Sequence, residues 1–152
     1  MLGGLNVIIV GNGPIYNHIK EKSKKITRNN NDLIVKTVGR QDNVTKFMHL
    51  SDLIMACGRT ALEALACRKP VFAMRKGFAG SINKNNQHKI LFCIKGFKYY
   101  QDNELVSQLA KLAKDKKYRN KLAVDGYNVI KQYYDIVDCT DQLERIYSQY
   151  LN

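Results

Sequence analysis

Residues 51 to 74 read SDLIMACGRTALEALACRKPVFAM and decide the fold, because they predict a strand, a tight turn, a helix and a second strand in quick succession. The apolar run at residues 53 to 56 stops at Gly58, and Thr60 begins a segment of strong helix formers, residues 61 to 66. Lys69 and Pro70 end this helix before the apolar strand at residues 71 to 74.

Gly58 and the first turn of this helix predict a phosphate-binding site. Glycine lets a ligand approach the backbone closely, and the first helical amides have no intrahelical acceptor. These amides and the positive end of the helix dipole therefore favour an anion above the strand end. Glu63 lies about one turn further on, where its carboxylate either accepts hydrogen bonds from sugar hydroxyls or only favours the helix dipole.

Strand and helix signals alternate along the rest of the chain. We predict further strands at residues 6 to 10 and 33 to 38, and further helices at 16 to 28, 44 to 50, 102 to 114, 116 to 133 and 138 to 150. Residues 90 to 94 form either a fifth strand or a buried loop. The order predicts an α/β fold, a Rossmann-like, doubly wound parallel sheet in three α/β/α layers with C-terminal helices.

Two packing expectations follow from these elements. The continuous apolar run at residues 6 to 10 is typical of a buried parallel strand. The spacing of Leu105, Leu109, Leu112 and Ala113 places them on one helix face, which we expect to pack on the sheet. Apolar and aromatic side chains near the C-terminus are available to pack: Tyr133, Tyr134, Ile146, Tyr147 and Tyr150.

Glycine stands at the ends of several predicted strands: Gly11 and Gly13, Gly39, Gly58, and Gly77 with Gly80. Ligands of open α/β sheets bind outside the carboxyl ends of the strands, so we expect these glycines to converge on one crevice. The alternative is that each serves only a turn. A nicotinamide enzyme is not expected, because Tyr16 replaces the third glycine of the dinucleotide fingerprint and no acidic residue ends the second strand.

Three segments together resemble the C-terminal, donor-binding half of glycosyltransferases with the two-domain GT-B fold, of the group 1/4-like type. They are residues 51 to 74 with their GRTALEALA and KP motifs, VIIVGNGP at residues 7 to 14, and KGFAGSI at residues 76 to 82, which is similar to the family's glycine-containing loop. The resemblance implies that residues 1 to 152 form a single donor-binding domain and that the acceptor-binding half is absent. The chain would then be an incomplete catalytic unit, either a fragment or a subunit that pairs with a separate chain.

The resemblance also implies which residues bind the donor. Gly58 and Thr60 would hold the diphosphate through amides and the hydroxyl, Arg59 would stabilise the leaving diphosphate, and Glu63 would accept hydrogen bonds from the ribose. Arg59 and Glu63 are therefore the catalytic candidates, and a surface cation is the alternative for Arg59. Met55 stands where retaining members often carry a first glutamate, which leaves the stereochemical outcome open.

Further donor contacts are implied in the loops. Gly11, Asn12 and Gly13 would lie beside the phosphates or face the acceptor. Gly39 and Arg40, with Gln41, match the segment that meets the base through backbone groups, so the side chains do not identify the base. Gly80 and Ser81 would approach the β-phosphate or the sugar. Asn85 or Asn86 would contact the sugar or form a turn.

The net charge of the chain indicates which kinds of partner it could bind. The chain has 25 Lys and Arg against 13 Asp and Glu, a net charge of +12, which favours an acidic partner. No recognised nucleic-acid module accompanies the charge, so we expect no nucleic-acid partner. Lysines on helix faces leave a peripheral contact with an anionic membrane open.

Composition also indicates the compartment and the cofactor requirement. Four cysteines without a C-x-x-C pair, and an N-terminus without a signal peptide or a long apolar run, predict a cytoplasmic protein with reduced thiols, with the inner face of the membrane as an alternative. We expect no cofactor and no metal, because His18, His49 and His88 form no ligand pattern and no Asp-x-Asp motif is present.

These inferences predict a glycosyltransferase domain that binds a nucleotide-diphosphate sugar, expected to be UDP-linked, for transfer to a glycan, lipid or other acceptor in cell-surface polysaccharide biosynthesis. Two alternatives stay open. One is a sugar-nucleotide epimerase of the same fold, which would need acid and base side chains that the sequence does not identify. The other is a non-catalytic nucleotide-binding or partner-docking module.

Overall fold

The structure, a computed structural model, describes residues 4 to 75, 77 to 86 and 102 to 151. The chain divides into two compact units, Met1–Lys46 and Phe47–Asn152. The predicted fifth strand at residues 90 to 94, together with His88 and Cys93, lies outside the described residues.

The first unit is a two-stranded parallel sheet with one long helix. Its elements are β1 (Leu5–Ile9), α1 (Tyr16–Arg28) and β2 (Leu33–Thr37), and Leu5 pairs with Leu33 at one end of the sheet. The Thr27 hydroxyl fastens α1 to β2, since it accepts a hydrogen bond from the Val35 amide at 2.9 Å and donates one to the Val35 carbonyl at 3.2 Å. The predicted bounds of α1 and the parallel pairing are confirmed.

The predicted burial of β1 is wrong. Leu5, Ile8 and Ile9 are 55%, 45% and 38% exposed. The unit contains a single long helix, and that helix lies against β2. Within this unit the apolar strand therefore lacks the cover that a doubly wound sheet would supply on both faces.

The second unit is a three-stranded sheet with helices. Its strands are β3 (Ile54–Ala56), β4 (Val71–Arg75) and β5 (Gly77–Ser81), in the order β3-β4-β5. Its helices are α3 (Gly58–Ala66), α4 (Asp102–Lys114), α5 (Lys116–Tyr133) and α6 (Ile136–Tyr150), and α2 (Thr45–Leu50) contains the division between the two units.

The segment predicted as a glycine-containing loop is mostly a strand. β3 and β4 pair in parallel, as predicted, but β5 pairs with β4 in the antiparallel direction, with a register shift between Ala73 and Met74. Antiparallel strands need only a short connection. The chain can therefore turn back on β4 at once and satisfy the backbone groups along its free edge.

The core of the second unit lies between the sheet, α4 and α5. Phe72, Leu112 and Leu122 form a buried cluster, and Leu105 and Leu109 pack against it. This confirms most of the predicted apolar face of α4; Ala113 is exposed instead. Arg119 joins α5 to the end of α4, since its Nη1 donates to the carbonyls of Leu112 at 2.6 Å and Ala113 at 2.8 Å.

The last helix carries apolar side chains on its surface. α6 has no buried residue, and its side chains that we expected to pack are half exposed or more: Ile146, Tyr147 and Tyr150. Tyr133, at the end of α5, is also half exposed. Among the described residues, no helix is long and apolar enough to cross a membrane.

Candidate functional site

The N-terminus of α3 is open and uncapped. Cys57, in extended conformation with φ −143° and ψ 169°, precedes the helix and makes no side-chain capping bond. Gly58 begins the helix with a φ of +57°, a conformation that favours glycine. Because the first turn carries no acidic side chain, its unpaired amides are available to an external acceptor. The helix begins two residues before the predicted Thr60.

The two faces of α3 have different roles. Ala61, Ala64 and Leu65 are fully buried, whereas Arg59, Thr60 and Glu63 are exposed. A β-carbon at Gly58 would meet nothing within 4 Å, so the turn borders open space. The structure therefore brings four of the predicted site residues together on one accessible helix end: Gly58, Arg59, Thr60 and Glu63.

The C-terminal end of α3 is held by residues that the sequence analysis missed. The Arg68 guanidinium lies 4.3 Å from the centroid of the Tyr127 ring on α5. A β-carbon at Gly126 would lie 2.4 Å from Leu65 Cδ2, so α3 and α5 touch closely at that point. No local sequence signal identifies these contacts, because the two helices are far apart along the chain.

Gly80 and Ser81 lie in the same sheet as β3, but not next to the α3 turn. Gly80 pairs with Ala73, which pairs with Ala56, the last residue of β3. Gly80 is thus level with the end of β3 at a separation of two strand spacings, roughly 10 Å. Ser81 lies one residue further back, opposite Phe72. Their predicted contacts with the β-phosphate or the sugar stay predictions.

Asn86 serves the turn after β5. Its Nδ2 donates to the Ser81 carbonyl at 2.7 Å, and its Oδ1 accepts from the Asn83 amide at 2.7 Å. Asn85 is exposed and makes only a backbone bond to Asn83 Oδ1, at 2.9 Å. We expected Asn85 or Asn86 either to contact the sugar or to form a turn, and Asn86 forms a turn.

The glycine loops of the first unit meet each other. The Gly11 amide donates to the Gly39 carbonyl at 2.7 Å, and both glycines have positive φ, +133° and +67°. Asn12, Gly13 and Arg40 are exposed beside them. The expected convergence of all the glycines of the chain on one crevice stays a prediction.

A cavity of about 410 Å³ opens between α5 and the turn after β5. Its lining is polar apart from Val129 and includes Asn85, but none of the predicted phosphate-binding residues. The lining consists of Lys84, Asn85, Asp125, Asn128, Val129, Gln132 and Tyr133.

In the described part of the chain, no three His, Cys, Asp or Glu side chains gather in a group that could hold a metal ion. Cys57, Cys67 and Cys139 are free cysteines.

Comparison with known proteins finds a matching protein family and solved structures with a similar fold. The family described as "Glycosyl transferases group 1" matches residues 2 to 129. Two crystal structures of Anabaena HepE, one in complex with UDP-glucose and one with UDP and glucose, are similar to this chain with TM-scores of 0.64 and 0.62. Each is 22% identical and covers 93% of this chain, which spans 40% of the HepE chain. The likeness confirms the predicted fold class; no curated protein sequence matches.

Proposed function

Because this chain belongs to the group 1 glycosyltransferase family, we propose that it is the part of a glycosyltransferase that binds the nucleotide-diphosphate-sugar donor, with uridine as the base. The observation that carries the proposal is the uncapped start of α3, where Gly58 has positive φ and Arg59 and Thr60 are exposed. The UDP-glucose in the HepE structure supports the choice of base.

The diphosphate is held by three kinds of donor on this helix end. The first amides of α3 point along the helix dipole toward the anion, the Thr60 hydroxyl donates a hydrogen bond, and the Arg59 guanidinium offers a bidentate contact. Glu63 is one turn further along the exposed face and accepts from the ribose hydroxyls. These groups stabilise the charge that develops on the leaving diphosphate, so catalysis here is positioning and electrostatic stabilisation.

Other residues complete the donor site in this proposal. Gly80 and Ser81 contact the sugar side of the donor. Neither a cofactor nor a metal ion is needed, because the cationic and amide groups of α3 supply the charge stabilisation.

The acceptor-binding part comes from elsewhere. The chain spans 40% of the HepE chain, which supports a partner chain or a further part of the same protein that carries the acceptor, and the general base if the reaction inverts. We infer an acceptor in cell-surface polysaccharide biosynthesis and a cytoplasmic site of action. The net charge of +12 favours contact with anionic lipid at the inner face of the membrane.

Calorimetric titration of the folded chain with UDP, UDP-glucose and GDP tests the donor proposal. We expect UDP to bind and Arg59→Ala to weaken it about tenfold, in line with the loss of a charge-assisted hydrogen bond. Glu63→Ala should also weaken binding, because the ribose hydroxyls lose their hydrogen-bond acceptor.

The matched controls are Arg145→Ala and Glu144→Ala, which remove the same charges from the exposed face of α6 and should leave the affinity unchanged. A folded sample that binds none of the three nucleotides, or control variants that lose as much affinity as the α3 variants, would contradict the proposal.

A further inference from the structure

Arg68 has an unusual backbone conformation. Among the described residues it is the one non-glycine residue with positive φ, +55°. It directly follows the C-cap of α3, where its amide donates to the Leu65 carbonyl at 2.9 Å and the Lys69 amide donates to the Ala64 carbonyl at 3.0 Å. This pattern is a Schellman motif, which usually has glycine at this position. A residue with a β-carbon is strained in this conformation.

The arginine side chain makes a contact that glycine would lose. Its guanidinium lies 4.3 Å from the centroid of the Tyr127 ring, within the range of a cation–π interaction. The contact joins the residue after the C-cap of α3 to α5.

The neighbouring residue on α5 makes the second contact. Gly126 is buried, and a β-carbon there would lie 2.4 Å from Cδ2 of the fully buried Leu65. A third contact comes from Lys69, whose Nζ donates to the His49 carbonyl at 2.8 Å. The C-terminal end of α3 is thus fixed on two sides, while its N-terminal end has no side-chain cap.

We propose that Arg68 and Tyr127 are positioning residues for the donor diphosphate, because their contact sets the direction of the α3 axis. This inference rests on the proposed function of α3. The helix has nine residues, so its two ends are about 13 Å apart.

The geometry explains why a remote contact matters. A tilt of about 10° about the fixed end would move the first-turn amides by about 2 Å over the length of the helix. Hydrogen bonds to the diphosphate tolerate only a few tenths of an ångström around 2.9 Å. Loss of the Arg68–Tyr127 contact should therefore weaken donor binding without unfolding the chain.

Four variants of the full chain test the inference. Arg68→Gly and Tyr127→Leu remove the contact, and Arg68→Gly also relieves the backbone strain, so its melting temperature should stay level or rise. Arg68→Lys and Tyr127→Phe keep a cation and a ring face. We expect the first pair to raise the UDP Kd about two- to fivefold, as the loss of a cation–π contact with an exposed arginine would. Tyr127→Phe should restore an affinity within about twofold of wild type.

Lys111→Ala is the matched control. It removes a cation–π contact of similar length, 4.4 Å to the Tyr118 ring, from α4, and it should leave UDP affinity unchanged. The NMR shifts of the backbone amides at residues 58 to 61, recorded without ligand, report the orientation of the helix end directly. They should change in Arg68→Gly and Tyr127→Leu and stay constant in Lys111→Ala.

The outcomes separate this inference from the proposed function. Wild-type affinity together with wild-type amide shifts in Arg68→Gly would overturn the inference, as would equal losses in Tyr127→Phe and Tyr127→Leu. If the wild-type chain binds no UDP, the proposed function and the donor role of Arg68 both fail. The ligand-free shifts then still decide whether the contact orients α3.

Discussion

At the scale of single residues, Gly58 is the position where backbone conformation and the proposed chemistry coincide. Its φ is +57°, and an added β-carbon would touch nothing within 4 Å, so Gly58→Ala introduces conformational strain without a clash. We expect a loss of about 1 to 2 kcal/mol and a melting temperature lower by about 2 to 8 °C. UDP affinity should fall as well, because the first-turn amides realign.

The control for Gly58→Ala is Gly13→Ala. Gly13 also borders open space but does not have positive φ, so the melting temperature should change by no more than about 1 °C. Equal effects of the two substitutions in thermal unfolding would contradict the role given to backbone conformation at Gly58.

Tyr134, just after α5, provides a pH prediction. Burial raises the pKa of its phenol above the usual 10.0, because desolvation disfavours the phenolate. The folded pKa is higher than the unfolded one, so the contribution to stability is fully present below pH 10.0 and is lost as the pH rises through the folded pKa. Urea unfolding of wild type and Tyr134→Phe should differ by a constant amount below pH 10.0, and wild type should lose stability relative to Tyr134→Phe as the pH rises above that value. A difference that does not vary across this range would refute the prediction.

At the scale of helices and strands, α3 packs closely against α5 where Leu65 meets Gly126. Gly126→Ala places a methyl group 2.4 Å from Leu65 Cδ2 in a fully buried environment. We expect the free energy of unfolding to fall by about 1 to 3 kcal/mol, as overpacking of a dense core does. Chemical denaturation measures it.

Val124→Ala on the same helix is the control for Gly126→Ala. Val124 is 59% exposed, so its truncation should change stability by no more than about 0.5 kcal/mol. The combination of Gly126→Ala with Leu65→Ala should be less destabilising than the sum of the two, since the second change removes the clashing atoms. Additive effects would show that the two side chains do not meet.

At the scale of the whole molecule, α6 contributes surface and little core. It has no buried residue, and one side of it carries exposed apolar side chains at helical spacing: Leu143, Ile146, Tyr147 and Tyr150. A chain ending at Asp135 should therefore keep a melting temperature within about 3 °C of wild type, because little apolar area is uncovered.

The same truncation should reduce self-association, because it removes an exposed apolar stripe. Sedimentation velocity at several concentrations measures this, with Leu143→Ser and Tyr147→Ser in the complete chain as a control that keeps the helix. A truncated chain that unfolds would show that α6 is part of the core after all.

The sequence by itself determined the order of the elements apart from β5, the bounds of α1, α4 and α5, the parallel pairs and the turn at Gly58. These features depend on local signals: apolar periodicity, and glycine or proline where an element ends. The GRTALEALA segment also identified the family before any contact was known. The four α3 residues that we propose bind the donor lie at the start of this helix, where its pattern predicted them.

The tertiary structure alone decided the direction of β5, the exposure of β1, the level of Gly80 in the sheet and the contact of Arg68 with Tyr127. The edge of β4 accepts a strand where the sequence indicated a loop, and within the first unit the one long helix lies against β2 and leaves apolar residues of β1 exposed. The contact of Arg68 with Tyr127 joins residues far apart in sequence, so it leaves no signature in the neighbouring residues.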